Sequence, residues 1–477
     1  MRPTLGPGCR APIRGARWGT GGGGTSWRGR EQPFTFPSRR RVIVEGGSRF
    51  WEGHVSLRHR SSGVLCAVVL VLGIAAAGPG PWSARPAAAA QTVKAVSLQV
   101  GATPARATVT WFARSTSGQR VEYGVATPAG RLPAAPVRRK AAARPASERG
   151  WSSVHAAMTG LRPGTTYAYR VGSHRSGWSS VSRFTTPAGE YGTFLAFGDP
   201  QLTRSGRTVN GAAGWARTLD TALRRHPRPR FVFSLGDQVN DPAASAEWDA
   251  FFAPPALRGQ RLATLIGNHD QARRAPQYGQ HVVAPNLVST GRAPGTGNAY
   301  FVEGKTLVIA LDSNEKRLAV HRDYLRKVIA ANPRVTWRIV GFHHSPFSGS
   351  SHADDADVRA FRAGLTPEFG RQGIDLVLGG HDHSYVRTHL MNGPRISRRG
   401  SANPTVHRPR RGETLYLTLN SSSGSKMYPL VSGTPWAAKR DQGRRPTYTA
   451  VTTSATRLTA STYHDRGRRV DEVTLTR

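Results

Sequence analysis

The sequence predicts an all-β sandwich domain followed by a larger α/β domain, and three observations support this fold class. Short alternating strands separated by turn residues fill residues 91–187. From residue 190 to residue 477, apolar strand-like runs alternate with helical stretches. Five of these runs end in polar residues that can bind a metal ion. The 477-residue chain is therefore long enough for two domains and a leader.

The first 90 residues have the composition of a leader rather than of a folded domain. The apolar run Gly63–Gly78 follows two arginines and precedes a stretch of small residues that ends in four alanines. These three features are typical of a signal peptide, which we place at residues 55–90, with a retained membrane anchor as the alternative. Residues 1–54 lack periodicity and are predicted to be an untranslated or disordered extension. We therefore expect a secreted protein that touches a membrane only through an uncleaved leader.

The charge balance is strongly basic, with 67 Lys and Arg against 28 Asp and Glu and a formal net charge of +39. Such a charge raises the hypothesis of nucleic-acid binding. However, no basic run is interleaved with aromatic residues, so we interpret the charge as a scattered solvated surface and expect no nucleic-acid partner. Cys9 and Cys66 are the only cysteines, which excludes a disulfide scaffold. The single long apolar run excludes a polytopic membrane protein.

Short runs with turn signals between them predict the strands of the sandwich. They are Ala95–Val100, Ala107–Phe112, Arg120–Tyr123, Ser153–Met158, Thr166–Val171 and Val181–Thr185. The segment Leu161–Val171 resembles an edge of fibronectin type III-like domains, so we predict such a domain at residues 91–187. The insert Arg131–Arg149 is basic and rich in Ala and Pro, and we predict a mobile loop there.

The second domain is predicted to contain buried strands alternating with helices. The helical stretches are Gly214–Arg225, Val320–Ala331 and Ala356–Gly373. Near the C-terminus, Thr414–Ser421 and Tyr448–Thr476 return to strand-like patterning, and we expect them to complete a second sheet.

Five strand-like runs end in residues that can bind metals. These ends are Asp199-Pro-Gln201, Asp237, Asn268-His269-Asp270, His343-His344 and His381-Asp382-His383. Ligands of open α/β sheets bind beyond the carboxyl ends of the strands, so we expect all five ends on one rim. Two carboxylates, an amide oxygen and imidazoles suit borderline divalent or trivalent metals rather than calcium. Two such ions about 4 Å apart would clamp a phosphoryl group and lower the pKa of a bridging water.

The motifs GDPQ, GDQVND, GNHD, HHSP and GHDHSYVR resemble the signature series of the calcineurin-like metallophosphoesterases. With the fibronectin-like domain in front, the chain from Val93 onward is similar to bacterial relatives of the purple acid phosphatases. The resemblance implies a four-layer α/β-β/α domain at residues 190–477 and a set of ligands for two metals. By this resemblance Asp199 binds the first metal, Asp237 bridges both, and Asn268 and His344 bind the second. His381 would bind the second metal, His383 the first, and His269 would contact the substrate phosphate or the leaving oxygen.

Two positions depart from the family pattern. Purple acid phosphatases have Tyr, a ligand of ferric iron, three residues after the bridging Asp, and this chain has Asn240 there. The wider superfamily often has His two residues after the first Asp, and this chain has Gln201 there. Gln201 either donates a carbonyl oxygen to a hard metal or bonds to a metal-bound water. Without Tyr or His, iron, manganese and zinc all fit the predicted pair of divalent or trivalent ions.

Further residues are candidates for supporting roles. The resemblance implies that His352, in the loop after HHSP, helps to protonate the leaving group; the alternative is an exposed loop histidine. Asn240 or Asp241 would orient His269, or would be plain turn residues. Arg387 would steady the ligand loop, which we favour, or neutralise phosphate.

Four other polar residues are expected to have no role in the chemistry. Strand alternation predicts that His343 points to the face opposite its neighbour and is structural. Asp270 is expected to pair with local arginines. His281 and His321 are expected at the surface.

The sequence therefore predicts an exported dimetal phosphoesterase, similar to acid phosphatases, that hydrolyses small phosphate monoesters by attack of a metal-bound hydroxide. The closest alternative is a phosphodiesterase of the same fold that acts on nucleotides or phospholipids. A cell-wall binding protein without activity is a further alternative, although the intact set of metal-binding residue types argues against it. The last alternative is a nucleic-acid-binding protein, whose affinity for DNA would depend steeply on salt concentration.

Overall fold

The computed structural model describes residues 92–271, 276–399 and 405–477. The predicted extension at residues 1–54 and the predicted signal peptide at residues 55–90 lie outside these ranges. In the described part of the chain, no helix combines the length and the apolar character needed to cross a membrane.

The N-terminal region forms a β-sandwich, as the alternating strand pattern predicts. Its strands are β1 (Val93–Val100), β2 (Arg106–Ala113), β3 (Arg120–Val125), β4 (Val137–Lys140), β5 (Ala142–Pro145), β6 (Ser152–Thr159), β7 (Thr166–Ser173), β8 (Gly177–Trp178) and β9 (Ser182–Thr185). The prediction of a mobile loop at 131–149 is wrong, because β4 and β5 lie within it. β4 pairs with β3 and β5 pairs with β6, so each extends one sheet of the sandwich. Their charged and proline-containing sequences suit edge strands, which repel unwanted pairing.

The second domain begins with strands and helices that flank the first two carboxylates. They are β10 (Thr193–Phe197), β11 (Thr203–Ser205), β12 (Thr208–Asn210), α1 (Ala212–Arg225), β13 (Val232–Ser234), α2 (Ser245–Phe252), a 3₁₀ turn (Pro255–Gly259) and β14 (Leu262–Thr264). β10, β13 and β14 are parallel neighbours. Their carboxyl ends therefore meet at one rim.

The remaining elements complete two large sheets. They are α3 (Gln277–His281), β15 (Val288–Ser289), β16 (Gly297–Glu303), β17 (Thr306–Leu311), α4 (Leu318–Ala331), β18 (Trp337–His344), α5 (Ala356–Gly364), α6 (Thr366–Arg371), β19 (Leu376–Gly380), β20 (Tyr385–Thr388), β21 (Leu390–Asn392), β22 (Arg395–Arg398), β23 (Thr405–His407), β24 (Glu413–Thr418), β25 (Ala437–Asp441), β26 (Thr447–Thr453), β27 (Arg457–His464) and β28 (Arg469–Thr476). The single helix predicted at 356–373 is two helices, because Pro367 lacks the N–H that would continue α5.

Two sheets pack face to face at the centre of this domain. The first sheet has the order β23-β28-β27-β26-β10-β13-β14-β1-β2-β6-β5, and the second runs β15-β16-β17-β18-β19-β24-β20-β25. Buried side chains of both, such as Phe231 and Phe301 with ring centroids 5.1 Å apart, fill the space between them. Helices α1 and α2 cover the first sheet, and α4, α5 and α6 cover the second. The four-layer α/β-β/α architecture is therefore confirmed.

The two domains share one sheet. β1 of the sandwich pairs in parallel with β14, so the first sheet continues into the sandwich. The C-terminal strands β26, β27 and β28 also belong to the first sheet, beside β10, whereas β24 lies in the second. The expectation that the C-terminal runs complete one second sheet therefore holds for β24 only.

Candidate metal centre

The predicted ligands lie where strands end in a strained backbone. Asp199, Gln201, Asp237, His381 and His383 all have positive φ, between 34° and 73°. Such a conformation is uncommon for residues other than glycine, and it clusters at functional sites. Each side chain is thereby turned out of its strand direction toward the seam between the two sheets.

The two carboxylates lie together on the first sheet. Asp199 Oδ1 accepts the His381 N–H at 2.8 Å, and Asp237 Oδ1 accepts the His269 N–H at 2.8 Å. Asp199, Asp237 and His383 each offer one ligand atom, and these atoms lie within 4.8 Å of one another. Asp237, His343 and His381 form a second such group. Two overlapping groups that share Asp237 suit two cations bridged by one carboxylate.

Several buried polar atoms of the centre have no hydrogen-bond partner among the described residues. They are Asp199 Oδ2 and both side-chain polar atoms of Gln201, although Gln201 is only 1% exposed. A buried polar atom without a partner is costly, so these atoms call for a cation or its water. A Cβ on Gly380 would lie 2.4 Å from Asp199 Oδ2, and one on Gly267 would lie 2.1 Å from Asp237 Oδ1. The two glycines keep the space beside the carboxylates open, and the residues present fit a metal pair.

The imidazoles come from the second sheet, and hydrogen bonds at Nδ1 orient the rings of His383 and His344. His383 Nδ1 donates to the carbonyl oxygen of Lys426 at 3.1 Å, which leaves Nε2 3.7 Å from Asp199 Oδ1. Burial lowers the pKa of His383 to about 4, so this ring is neutral and can offer a lone pair. His344 Nδ1 lies 2.6 Å from Ser313 Oγ. Partners of this kind fix the ring orientation of metal-binding histidines.

His343 is inside the centre, so the expectation that it has no part in the site is wrong, although its predicted position on the face opposite His344 holds. Its Nδ1 donates to the carbonyl oxygen of Leu235 at 2.8 Å. Its Nε2 lies 3.1 Å from Asn268 Oδ1 and 3.3 Å from Asp237 Oδ1. Strand alternation does turn His343 to the face opposite His344, but that face packs on the first sheet. The sequence does not reveal which face of β18 meets the first sheet.

The charges of the centre are strongly coupled. Burial, opposed by the charge of His343 and reinforced by Asp237, raises the pKa of Asp199 to about 8. Burial acts in the same direction on Asp237, but the charge and hydrogen bond of His343 outweigh it and hold the pKa of Asp237 well below its usual range. Burial lowers the pKa of His343, yet Asp237 and Asp199 overcome this and raise it to about 9. At neutral pH the imidazolium of His343 thus offsets the carboxylate of Asp237.

Half-buried residues form the mouth of the centre, by which we mean Asn240, Asn268, His269, His352, His381, Lys426 and Tyr428. His269 Nδ1 donates to the backbone carbonyl of Asn240 at 2.9 Å, so Asn240 orients His269 through its main chain. His352 packs on the His381 ring with centroids 4.2 Å apart, and its Nδ1 lies 2.8 Å from Asp355 Oδ2. The loop histidine is therefore at the mouth.

Two of the proposed supporting residues do not reach the centre. Asp241 Oδ1 accepts the N–H of Ala243 at 2.9 Å, which is a turn contact, so Asp241 does not orient His269. Arg387 is fully buried and pairs with Asp471 at 2.6 Å. Its role is to hold β20 against β28, and the alternative of phosphate contact is wrong.

Sequence reasoning missed some supporting residues. Asp270 does not pair with arginines but accepts the N–H groups of Gln238, Val239 and Gly267, and so ties two ligand loops together. Asp382 accepts the N–H of His352 at 2.8 Å. Ser313 follows the apolar strand β17, and the strand-end pattern that identified the other sites would have found it.

Two histidines expected at the surface are buried. His281 is 5% exposed and stacks on Trp248, with ring centroids 4.9 Å apart. His321 is fully buried, and its Nε2 bonds to the carbonyl oxygen of Glu315. Both serve the packing of the fold.

Comparison with known proteins agrees with this architecture. The family model described as purple acid phosphatase, N-terminal domain, matches residues 93–186, and the calcineurin-like phosphoesterase model matches residues 192–385. The structure of purple acid phosphatase PPD1 from yellow lupin (Lupinus luteus) seeds aligns with a TM-score of 0.67 at 16% identity. That alignment covers 81% of this chain and 74% of the lupin chain.

Two curated relatives are uncharacterized proteins from two strains of Mycobacterium tuberculosis. Each is 25% identical over 353 residues, and the alignment spans 66% of this chain and 66% of the relative's length. The rim of carboxylates and imidazoles, the four layers and the two family matches define a metallophosphoesterase. Residues 192–385 match the calcineurin-like phosphoesterase family, and residues 93–186 in front of them match the purple acid phosphatase N-terminal domain.

Proposed function

We propose that this protein is a two-metal hydrolase of phosphate monoesters. The observation that carries the proposal is the close grouping of Asp199, Asp237 and His383 in the seam between the sheets, with a ring nitrogen of His381 also within 4.8 Å of an Asp237 oxygen. We infer that Asp199, Gln201, Asp237 and His383 hold one ion, and that Asp237, Asn268, His344 and His381 hold the other. When bound, two ions would supply a clamp for the phosphoryl group and an activated water.

The side chains of the mouth would handle the departing group. His269 is held by Asn240 through Nδ1, so its Nε2 faces the open side of the centre, where the ester oxygen would lie. His352 Nδ1 lies 2.8 Å from Asp355 Oδ2, and this contact holds the ring at the mouth. Either imidazole would stabilise or protonate the leaving oxygen, and general-acid help of this kind contributes about 10²–10⁴ in rate.

Monoesters are our first choice over diesters because of His352. A monoester with an alkoxide leaving group needs a proton donor at the mouth, and we assign this role to His352. We leave the metal identity among iron, manganese and zinc. Asn240 bonds to Lys426 instead of providing the phenolate that a ferric site would use, which favours divalent ions.

The test is turnover of an aryl phosphate monoester and an aryl phosphate diester by the full chain, with manganese, zinc or iron supplied separately. We expect metal-dependent hydrolysis, faster for the monoester, and a loss of at least about a thousandfold in Asp237→Ala, because several kcal/mol of charge stabilisation disappear. Glu472→Ala, at an exposed ion pair with Arg469, is the matched acid-to-alanine control and should hydrolyse as the wild type does. A folded, metal-loaded protein that turns over neither ester would overturn the proposal.

Export is a separate proposal, supported by the signal-peptide pattern at residues 55–90. Expression of the full chain and of a variant lacking 55–90, followed by separation of cells from medium, tests it. We expect only the full chain outside the cells; equal retention of both would contradict export.

A further inference from the structure

A lysine at the mouth has no acidic partner. Lys426 is half-buried, and its Nζ donates to Asn240 Oδ1 at 2.9 Å. Among the described residues, no carboxylate oxygen lies within 4.0 Å of this ammonium, whereas the half-buried Lys94 pairs with Glu148 and Asp249. An ammonium has three donors, and the side-chain hydrogen bond of Lys426 goes to the neutral amide of Asn240.

The position of Lys426 is fixed from two directions. Its carbonyl oxygen accepts His383 Nδ1–H at 3.1 Å, which ties the residue to a predicted metal ligand. Its side chain reaches Asn240, whose carbonyl holds His269. The ammonium therefore lies on the mouth between His383 and His269, and its positive charge contributes to the lowered pKa of His383 after the larger effect of burial.

A half-buried cation without a counterion calls for an anion. A phosphate oxygen would lie at the open side of the mouth. There it would be between His269, which would face the leaving group, and His383, which would face a metal. We propose that Lys426 binds an oxygen of the substrate's phosphate group and favours dianionic monoesters over monoanionic diesters. This inference rests on the proposed phosphoesterase function and adds a specificity-determining residue to it.

The experiment measures the affinity of inorganic phosphate for the manganese-loaded full chain by isothermal titration calorimetry. Lys426→Met removes the charge while keeping the length of the side chain and the backbone bond to His383. We expect the Kd of phosphate to rise about tenfold or more, as expected when a charge-assisted hydrogen bond is lost. Lys426→Arg should restore most of the affinity. Lys305→Met, at an exposed pair with Glu190 on the opposite end of the second sheet, should leave phosphate affinity unchanged.

Kinetics and a second variant separate phosphate binding from a merely structural role. In Lys426→Met we expect KM to rise more for the monoester than for the diester, with manganese still bound at the wild-type stoichiometry. Asn240→Ala breaks the bond but keeps the ammonium, so it should weaken phosphate binding less than Lys426→Met does. If both variants weaken phosphate and manganese equally, Lys426 acts only through Asn240 and the inference is overturned.

Failure of this inference and failure of the proposed function give different results. A wild-type protein that binds phosphate through Lys426 but hydrolyses no ester would remove the proposed activity and keep the anion site. Turnover of the monoester with unchanged phosphate affinity in Lys426→Met would keep the activity and remove the anion site.

Discussion

The first and second sheets contribute different chemistry to the candidate metal centre. The first sheet supplies the carboxylates and amides, from the ends of β10, β13 and β14. The second supplies imidazoles, from the ends of β18 and β19. Each set alone would bind a cation weakly, because the ligands named above are oxygen atoms on the first sheet and imidazole nitrogens on the second. The centre is therefore a property of the packing between the sheets.

Hydrogen bonds across the seam set the two halves in register. Asp199 Oδ1 accepts the N–H of His381, and His343 donates to the carbonyl of Leu235. Asn314 Nδ2 donates to the carbonyl of Gly267 at 3.1 Å. At the opposite end of the same sheets, the buried Glu303 joins Arg230 and Arg261 at 2.9 and 2.8 Å. The sheets are thus joined at both ends, and the end that holds Asp199 and Gln201 has unpartnered oxygen atoms that suit a cation.

The largest effect on stability is expected from breaking the buried pairs at the closed end. Glu303→Gln leaves two buried guanidinium groups without their carboxylate, which should lower the free energy of unfolding by about 3–5 kcal/mol. Urea unfolding measures this change. Glu472→Gln, at the exposed pair with Arg469, should cost less than about 1 kcal/mol. Equal midpoints for the two variants would show that the closed end does not hold the sheets together.

The next largest effect is expected on kcat when His352, in the loop after β18, is replaced. His352→Ala should lower kcat for an alkyl phosphate by about a hundredfold, because the leaving alkoxide then lacks a proton donor. The rate for 4-nitrophenyl phosphate should change much less, since that leaving group needs no proton. His174→Ala, an exposed histidine of the sandwich, is the control. A uniform loss with both esters would refute the assigned role.

The smallest of these effects tests how the second sheet orients its ligands. Ser313→Ala removes the partner of His344 Nδ1, and should weaken the affinity for one of two metal ions about ten- to hundredfold. Competition with a chelator measures it. Ser461→Ala, whose hydroxyl bonds to Glu472 far from the centre, should have no effect. Unchanged affinity in Ser313→Ala would mean that packing alone orients the ring.

The family resemblance of the five motifs predicted the four layers. The strand-end pattern brought most of the site to the correct strand ends, because a buried parallel strand followed by a metal-binding residue is a local pattern. It failed for His343, since alternation gives two faces but not which face meets the other sheet. It failed for β4 and β5, whose edge strands lack apolar alternation. It also missed Lys426, because the loop between β24 and β25 reaches the mouth only through contacts distant in sequence.

The metal content of the purified full chain tests the central claim most directly. After loading with manganese and dialysis, mass spectrometry should find two ions per wild-type chain. Asp237→Asn from the first sheet and His381→Ala from the second should each lose at least one ion, while Glu472→Gln keeps both. A wild-type chain that retains no ion, or two variants that retain both, would contradict a centre built jointly by the two sheets.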